Sequence, residues 1–343
     1  MKKTMIALAA IAAVGAASAQ VSITGEAAWG FASSTNTAGV STSGFGIDTA
    51  QLKFAASEDL GNGMKASAGL SLNTGNMGAG ASSDDQSINL TTPLATISLL
   101  TYSPGDWVSG ASGAATWWGL DGKVLSARSK RDAIAVTLPL ATGLTLTAAY
   151  LEPANVLGEG TGDKGQNLYN FGVKYATGPA TLQAAFLQYN NVSKISDLTT
   201  DTVTRLGAKV DMGVAQFGAG LQIGKLGAGG TNTQTALSVS APLPGGFSAN
   251  GVYASNNVDS ATGEATLPTG RRSGYMLGLQ YNFSKRTYAI LNAGSWTGVT
   301  AANASAFALS STTGAIAQTA TSATASIDGA ASSMYALTLI HDF

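Results

Sequence analysis

Residues able to do nucleophilic or metal chemistry are few. The 343-residue chain carries one histidine, His341, and no cysteine. There is thus no thiol nucleophile, and a lone histidine does not make a His-based metal site. A Ser/His/Asp relay would need His341 to face a substrate cavity. Its alternation with Leu339 and Phe343 places it on the apolar face of a terminal strand instead. The run Gly224-Lys-Leu-Gly-Ala-Gly-Gly230 lacks the Gly-Lys-Ser/Thr ending of a phosphate loop. No enzyme activity, metal or cofactor is expected. What remains is a set of scattered charges and amides set among apolar residues. Gln51 and Lys53 interleave with Leu52 and Phe54, Arg131 shares the parity opposite to Ile134, Val136 and Leu138, and Arg205 and Lys209 share one parity further on. On extended strands such residues turn to the face opposite the apolar one, where they act on a passing solute by their field.

The elements that position them are strands. Tyr275, Leu277, Leu279, Tyr281 and Phe283 alternate with Met276, Gly278, Gln280 and Asn282; Tyr335, Leu337, Leu339, His341 and Phe343 alternate with Ala336, Thr338, Ile340 and Asp342. Residues 169–175 and 237–243 repeat the pattern. Segments of about ten residues, apolar on one face and polar or small on the other, suit transmembrane β-strands with lipid outside and water inside. Soluble sandwich strands are shorter, about 5–6 residues. Short turns at 58–63, 92–95, 139–143, 177–180, 211–213, 242–246 and 284–286 alternate with long stretches at 33–46, 75–84, 103–124, 153–166, 191–201, 226–233, 256–271 and 299–330. That division predicts an all-β fold, a transmembrane antiparallel β-barrel of about sixteen strands with long extracellular loops. At that size the interior leaves an aqueous channel, whereas about eight strands would be filled by side chains.

Composition agrees. Only 11% of residues are charged, against about 25% in ordinary soluble domains. A formal net charge of −1 argues against a nucleic-acid partner, which calls for a basic surface. At the N-terminus Lys2 and Lys3 precede an apolar run from Met5 to Ala16, and Ala17-Ser18-Ala19 reads as a cleavage site. Residues 1–19 are therefore expected to be a signal peptide and residues 20–343 the barrel domain.

Several stretches resemble the Gram-negative porin family of β-proteobacterial type: Val21-Ser-Ile-Thr-Gly25, Ser57-Glu-Asp-Leu-Gly61, Gln280-Tyr-Asn-Phe-Ser-Lys-Arg-Thr287 and the terminal Leu339-Ile-His-Asp-Phe343. The resemblance implies a homotrimer in the outer membrane, in contact with lipid bilayer and lipopolysaccharide, each barrel narrowed by a third loop folded into the lumen. It also implies that Phe343 is read by the barrel assembly machinery. The third loop would be residues 103–124, carrying Asp106 and Asp121 with Trp107, Trp117 and Trp118. Lys53 and Arg131, both expected near mid-height, would form the basic side of a pore constriction, with Arg205 and Lys209 also inward. Small hydrophilic solutes and ions are the implied cargo.

The family pattern is only partly kept. An Arg usually precedes the Glu-Asp-Leu-Gly turn where this chain has Gln51, and a Gly-Arg pair precedes the third loop where it has Leu99-Leu100. Passive diffusion with weak charge selectivity is the expectation. Alternatives are a solute-specific porin, or a structural or adhesive barrel occluded by a loop such as 299–330, a stretch rich in Ala, Ser and Thr.

Overall fold

A computed structural model gives the fold. The structure describes residues 20–36, 39–73, 82–102, 120, 123–125, 130–153, 167–190, 200–226, 229–260, 270–297, 305–309, 316–320 and 331–343. The expected signal peptide, residues 1–19, lies outside them. So do Asp106, Trp107, Trp117, Trp118 and Asp121.

The strands are β1 (Gln20–Thr35), β2 (Ser41–Gly61), β3 (Met64–Asn73), β4 (Ser82–Thr91), β5 (Thr96–Tyr102), β6 (Arg131–Ala141), β7 (Leu144–Pro153), β8 (Asn167–Thr177) and β9 (Ala180–Asn190). They continue as β10 (Thr200–Asp211), β11 (Gln216–Leu226), β12 (Gly230–Pro242), β13 (Phe247–Ser260), β14 (Gly270–Asn282), β15 (Thr287–Thr297), β16 (Ser305–Leu309), β17 (Ile316–Ala320) and β18 (Ala331–Asp342). All but β16 and β17 join one closed antiparallel barrel, each strand beside its sequence neighbour, with β18 sealing it between β15 and β1. Closure pairs every strand edge, which a lipid environment demands.

Alternation sets the two faces. On β14, Tyr275, Leu277 and Leu279 point outward and are exposed, while Gly274, Met276 and Gly278 point inward and are buried. Aromatic rings band the outer wall near both rims. Phe247, Tyr281 and Phe283 pack with centroids 4.6 and 4.9 Å apart at the short-turn end. Trp29 stacks on Phe45 at 5.5 Å nearer the loop end. Such girdles suit the two membrane–water interfaces. The β2–β3 hairpin turns on Asn62 and Gly63, both at positive φ, as a tight primed turn requires.

The barrel closes at its ends. Gly25 N–H donates to the Phe343 carbonyl at 2.9 Å and Phe343 N–H to the Gly25 carbonyl at 3.0 Å. The Phe343 ring lies over the bare Gly25 backbone, where any Cβ would collide with it. The long stretch 299–330, read from sequence as loop, contains the β16–β17 hairpin, which pairs Ser305 with Ala320 and approaches β2 and β1. Its Ala- and Thr-rich residues alternate weakly, so no face-to-face pattern marked it as strand.

Candidate functional site: the lumen wall

The inward face of β2 to β6 gathers a chain of polar groups. Ladder register sets Lys53 of β2 opposite Ser71 of β3. Between Leu70 and Leu72 the β3–β4 ladder slips, placing two β4 residues against one on β3. Ser71 bridges this bulge, its hydroxyl accepting from Asp85 N–H at 2.9 Å and donating to the Asp85 carbonyl at 3.1 Å. Bulges re-aim side chains, and here Asp85 turns into the same cleft as Lys53. Gln86 pairs with Thr101, which sets Asp85 beside Tyr102, and Tyr102 pairs with Arg131. Lys53, Ser71, Asp85, Tyr102 and Arg131 thus form one row across five strands. With strands about 4.8 Å apart and tilted about 40°, a row perpendicular to them climbs about 12 Å from first to last. Lys53 sits within β2, whereas Arg131 opens β6 at the long-loop end. Arg131 is therefore higher than the mid-height expected from sequence: parity fixes a face, but not where a strand begins.

The row borders a cleft of ≈ 450 Å³ whose lining includes Gln51, Lys53, Asp85, Ser87, Leu100 and Tyr102. Arg205 of β10 lies on the same inward face, five strands along from Tyr102. Arg205 is steadied by donating from Nε to Gln222 Oε1 at 2.7 Å. Lys209 shares its parity four residues nearer the short-turn end, opposite Thr181 and Gly218.

Leu100 also faces inward. Beyond the row, the inner wall is apolar: Leu100 and Tyr102 pack against Ala133, Leu151, Leu168, Leu187 and Val203. On the strand next to Lys53, Glu26 of β1 pairs with Gln51 of β2 on one side and with Asp342 of β18 on the other.

The connection from β5 to β6 meets the opposite wall. Leu120, Val124 and Leu125 are buried with Val252, Ala254, Met276 and Trp296. Asn256 Nδ2 donates to the Val124 carbonyl at 3.0 Å, and Lys123 Nζ stands 5.6 Å above the Trp296 ring. His341 lies on the outer wall, its Nδ1 2.9 Å from Thr287 Oγ1. Among the described residues no group of His, Cys, Asp or Glu is arranged to hold a metal.

Sequence reasoning missed Asp85, Tyr102, Lys123, Asn256 and Trp296. Tyr102 shares the parity of Leu100 and was available to the same argument. Asp85 shares the parity of Ser87 and Asn89, opposite the outward Ile88 and Leu90, and was available too; it stands at the edge of the stretch 75–84 read as loop.

The Gram-negative porin family model matches residues 6–298. The chain belongs to the Gram-negative porin family. It is an outer-membrane porin, and its barrel forms a channel. The porin's fold is similar to that of the anion-selective porin from Comamonas acidovorans, at 20% identity and TM-score 0.69, covering 95% of this chain and 100% of that one. It is also similar to OmpT of Vibrio cholerae in its trimer form, at 13% identity and TM-score 0.68, covering 95% and 100%. A multiply substituted Rh. blastica porin aligns at 13% identity and TM-score 0.60, covering 94% and 100%. Among curated proteins no sequence match was found.

Proposed function

We propose that this porin passes ions and small hydrophilic solutes by passive diffusion, with weak charge selectivity. One observation carries the reading: the inward row alternates in sign, Lys53, Asp85, Arg131, and ends against an apolar wall at Leu100, Leu151 and Leu187. A strongly anion-selective eyelet concentrates positive potential in a narrow lumen. Here Asp85 interrupts it, and Gln51 and Leu100 are uncharged. Lys53, Arg131, Arg205 and Lys209 form the basic side of the constriction in this reading, with Gln51 and Leu100 as neutral wall. Asp106 and Asp121 are its acidic side on the third loop.

Removal of residues 1–19 on export, recognition of Phe343 by the assembly machinery, contact with lipopolysaccharide and a homotrimeric state belong to the same proposal. Family kinship supports them, as does the trimer form of the V. cholerae OmpT. The deciding test is the reversal potential of the refolded porin in a potassium chloride gradient across a planar bilayer. A value near zero is expected. A potential close to the chloride limit refutes weak selectivity.

A further inference from the structure

We propose that the cleft between Lys53 and Tyr102 is a binding subsite for small zwitterionic solutes with an apolar side chain, of the α-amino-acid type; this rests on the diffusion-channel reading above.

The order of charges carries the argument. Lys53 and Asp85 stand two strands apart on the inner wall, joined through Ser71, which separates their backbones by about 10 Å. Both residues line one cleft. A net anion drawn to Lys53 meets Asp85 beside it. A net cation drawn to Asp85 meets Lys53 on one side and Arg131 further along the row. A molecule carrying an ammonium and a carboxylate a few ångströms apart presents the right charge to each. Its ammonium lies on Asp85 and its carboxylate on Lys53.

Two further features define the rest of the solute. Leu100 and the Tyr102 ring form the apolar shelf of the cleft and continue into the cluster of Ala133 and Leu151, so an alkyl side chain has a surface to cover. Arg205, inward on β10 and held by Gln222, adds a further positive charge on the same curved wall. A solute that follows this wall meets the row. The low-dielectric flank at Leu100 strengthens each charge contact relative to open water. The Ser71–Asp85 bridge holds the carboxylate's strand in place, so the site does not have to be assembled on binding.

The test is solute block of single-channel current in planar bilayers, with L-leucine as the probe. Isoamylamine supplies the ammonium alone, isocaproate the carboxylate alone, and isoamyl alcohol neither. L-Leucine is expected to lower the conductance saturably, half-maximally near millimolar concentration, with each analogue about tenfold weaker, the ratio expected when one charged hydrogen bond is lost. K53Q and D85N are each expected to weaken the leucine block about tenfold, while their open-channel current steps show that the barrel is intact. Equal block by leucine and isoamyl alcohol, or leucine block unchanged in both variants, overturns the subsite while leaving the channel reading in place. Absence of current steps from the unsubstituted protein overturns both.

Discussion

Gly25→Ala tests how the barrel is sealed. A Cβ at residue 25 would collide with the Phe343 ring, standing 2.6 Å from Cε2, and would lie 2.8 Å from the Gln51 carbonyl oxygen. The ring must swing away or the β1–β18 ladder must open, and the two backbone bonds between Gly25 and Phe343 would open with it. Overpacking of this kind costs about 1–3 kcal/mol. Phe343 is 48% exposed, so Phe343→Ala forfeits about half of a ring's burial, about 1–1.5 kcal/mol. If the penalty at residue 25 comes mainly from the ring, it should shrink to that of the Gln51 contact once the ring is gone. The double variant should then be more stable than the sum of the single changes predicts, by about 1–2 kcal/mol. The assay is urea unfolding of the four proteins refolded into lipid vesicles, followed by tryptophan fluorescence. In vitro refolding keeps any role of Phe343 in cellular assembly out of the measurement. An equal Gly25→Ala penalty with and without the ring would refute the seal.

Asn256→Ala leaves the Val124 carbonyl buried without its donor; the loss should be about 1–3 kcal/mol, with larger current fluctuations in bilayer recordings as the inward segment loosens. Leu100→Arg puts a cation between Lys53 and Arg131 on the inner wall and should move the reversal potential towards the chloride limit, whereas an outward charge such as Lys225 should tolerate removal without effect. Asp85→Asn should shift selectivity towards anions and Lys53→Gln towards cations, with the double variant returning near the starting value. Arg205→Ala should raise relative cation permeability in the same gradient, since it removes a positive group from the inward face of β10.

Lys53, Arg205 and Leu100 could be assigned to the inner face from sequence because each lies on an unbroken alternating stretch, where one apolar neighbour settles the parity of the rest. The strand number followed from the same regularity, each short turn forcing a reversal. The alternation fails where a ladder slips. At Leu70 and Leu72 one extra residue on β4 swaps the faces above and below; Asp85, the acid that interrupts the positive wall, stands at the edge of that slip and is still in phase with Ser87 and Asn89, whereas the residues beyond it are not. Depth is lost for a related reason: period two carries no origin, so Arg131 could be turned inward but not placed at the first residue of its strand. The Asn256–Val124 bond is hidden in another way, since 132 residues separate its partners and neither has a pattern that names the other. The electrostatic character of this lumen therefore rests on the regular strands for its charges and on the irregularities for how those charges are held. The regular strands supply a tube that any sequence of this patterning would build. A bulge on one wall ties Ser71 to Asp85, and a single amide on the other ties Asn256 to Val124.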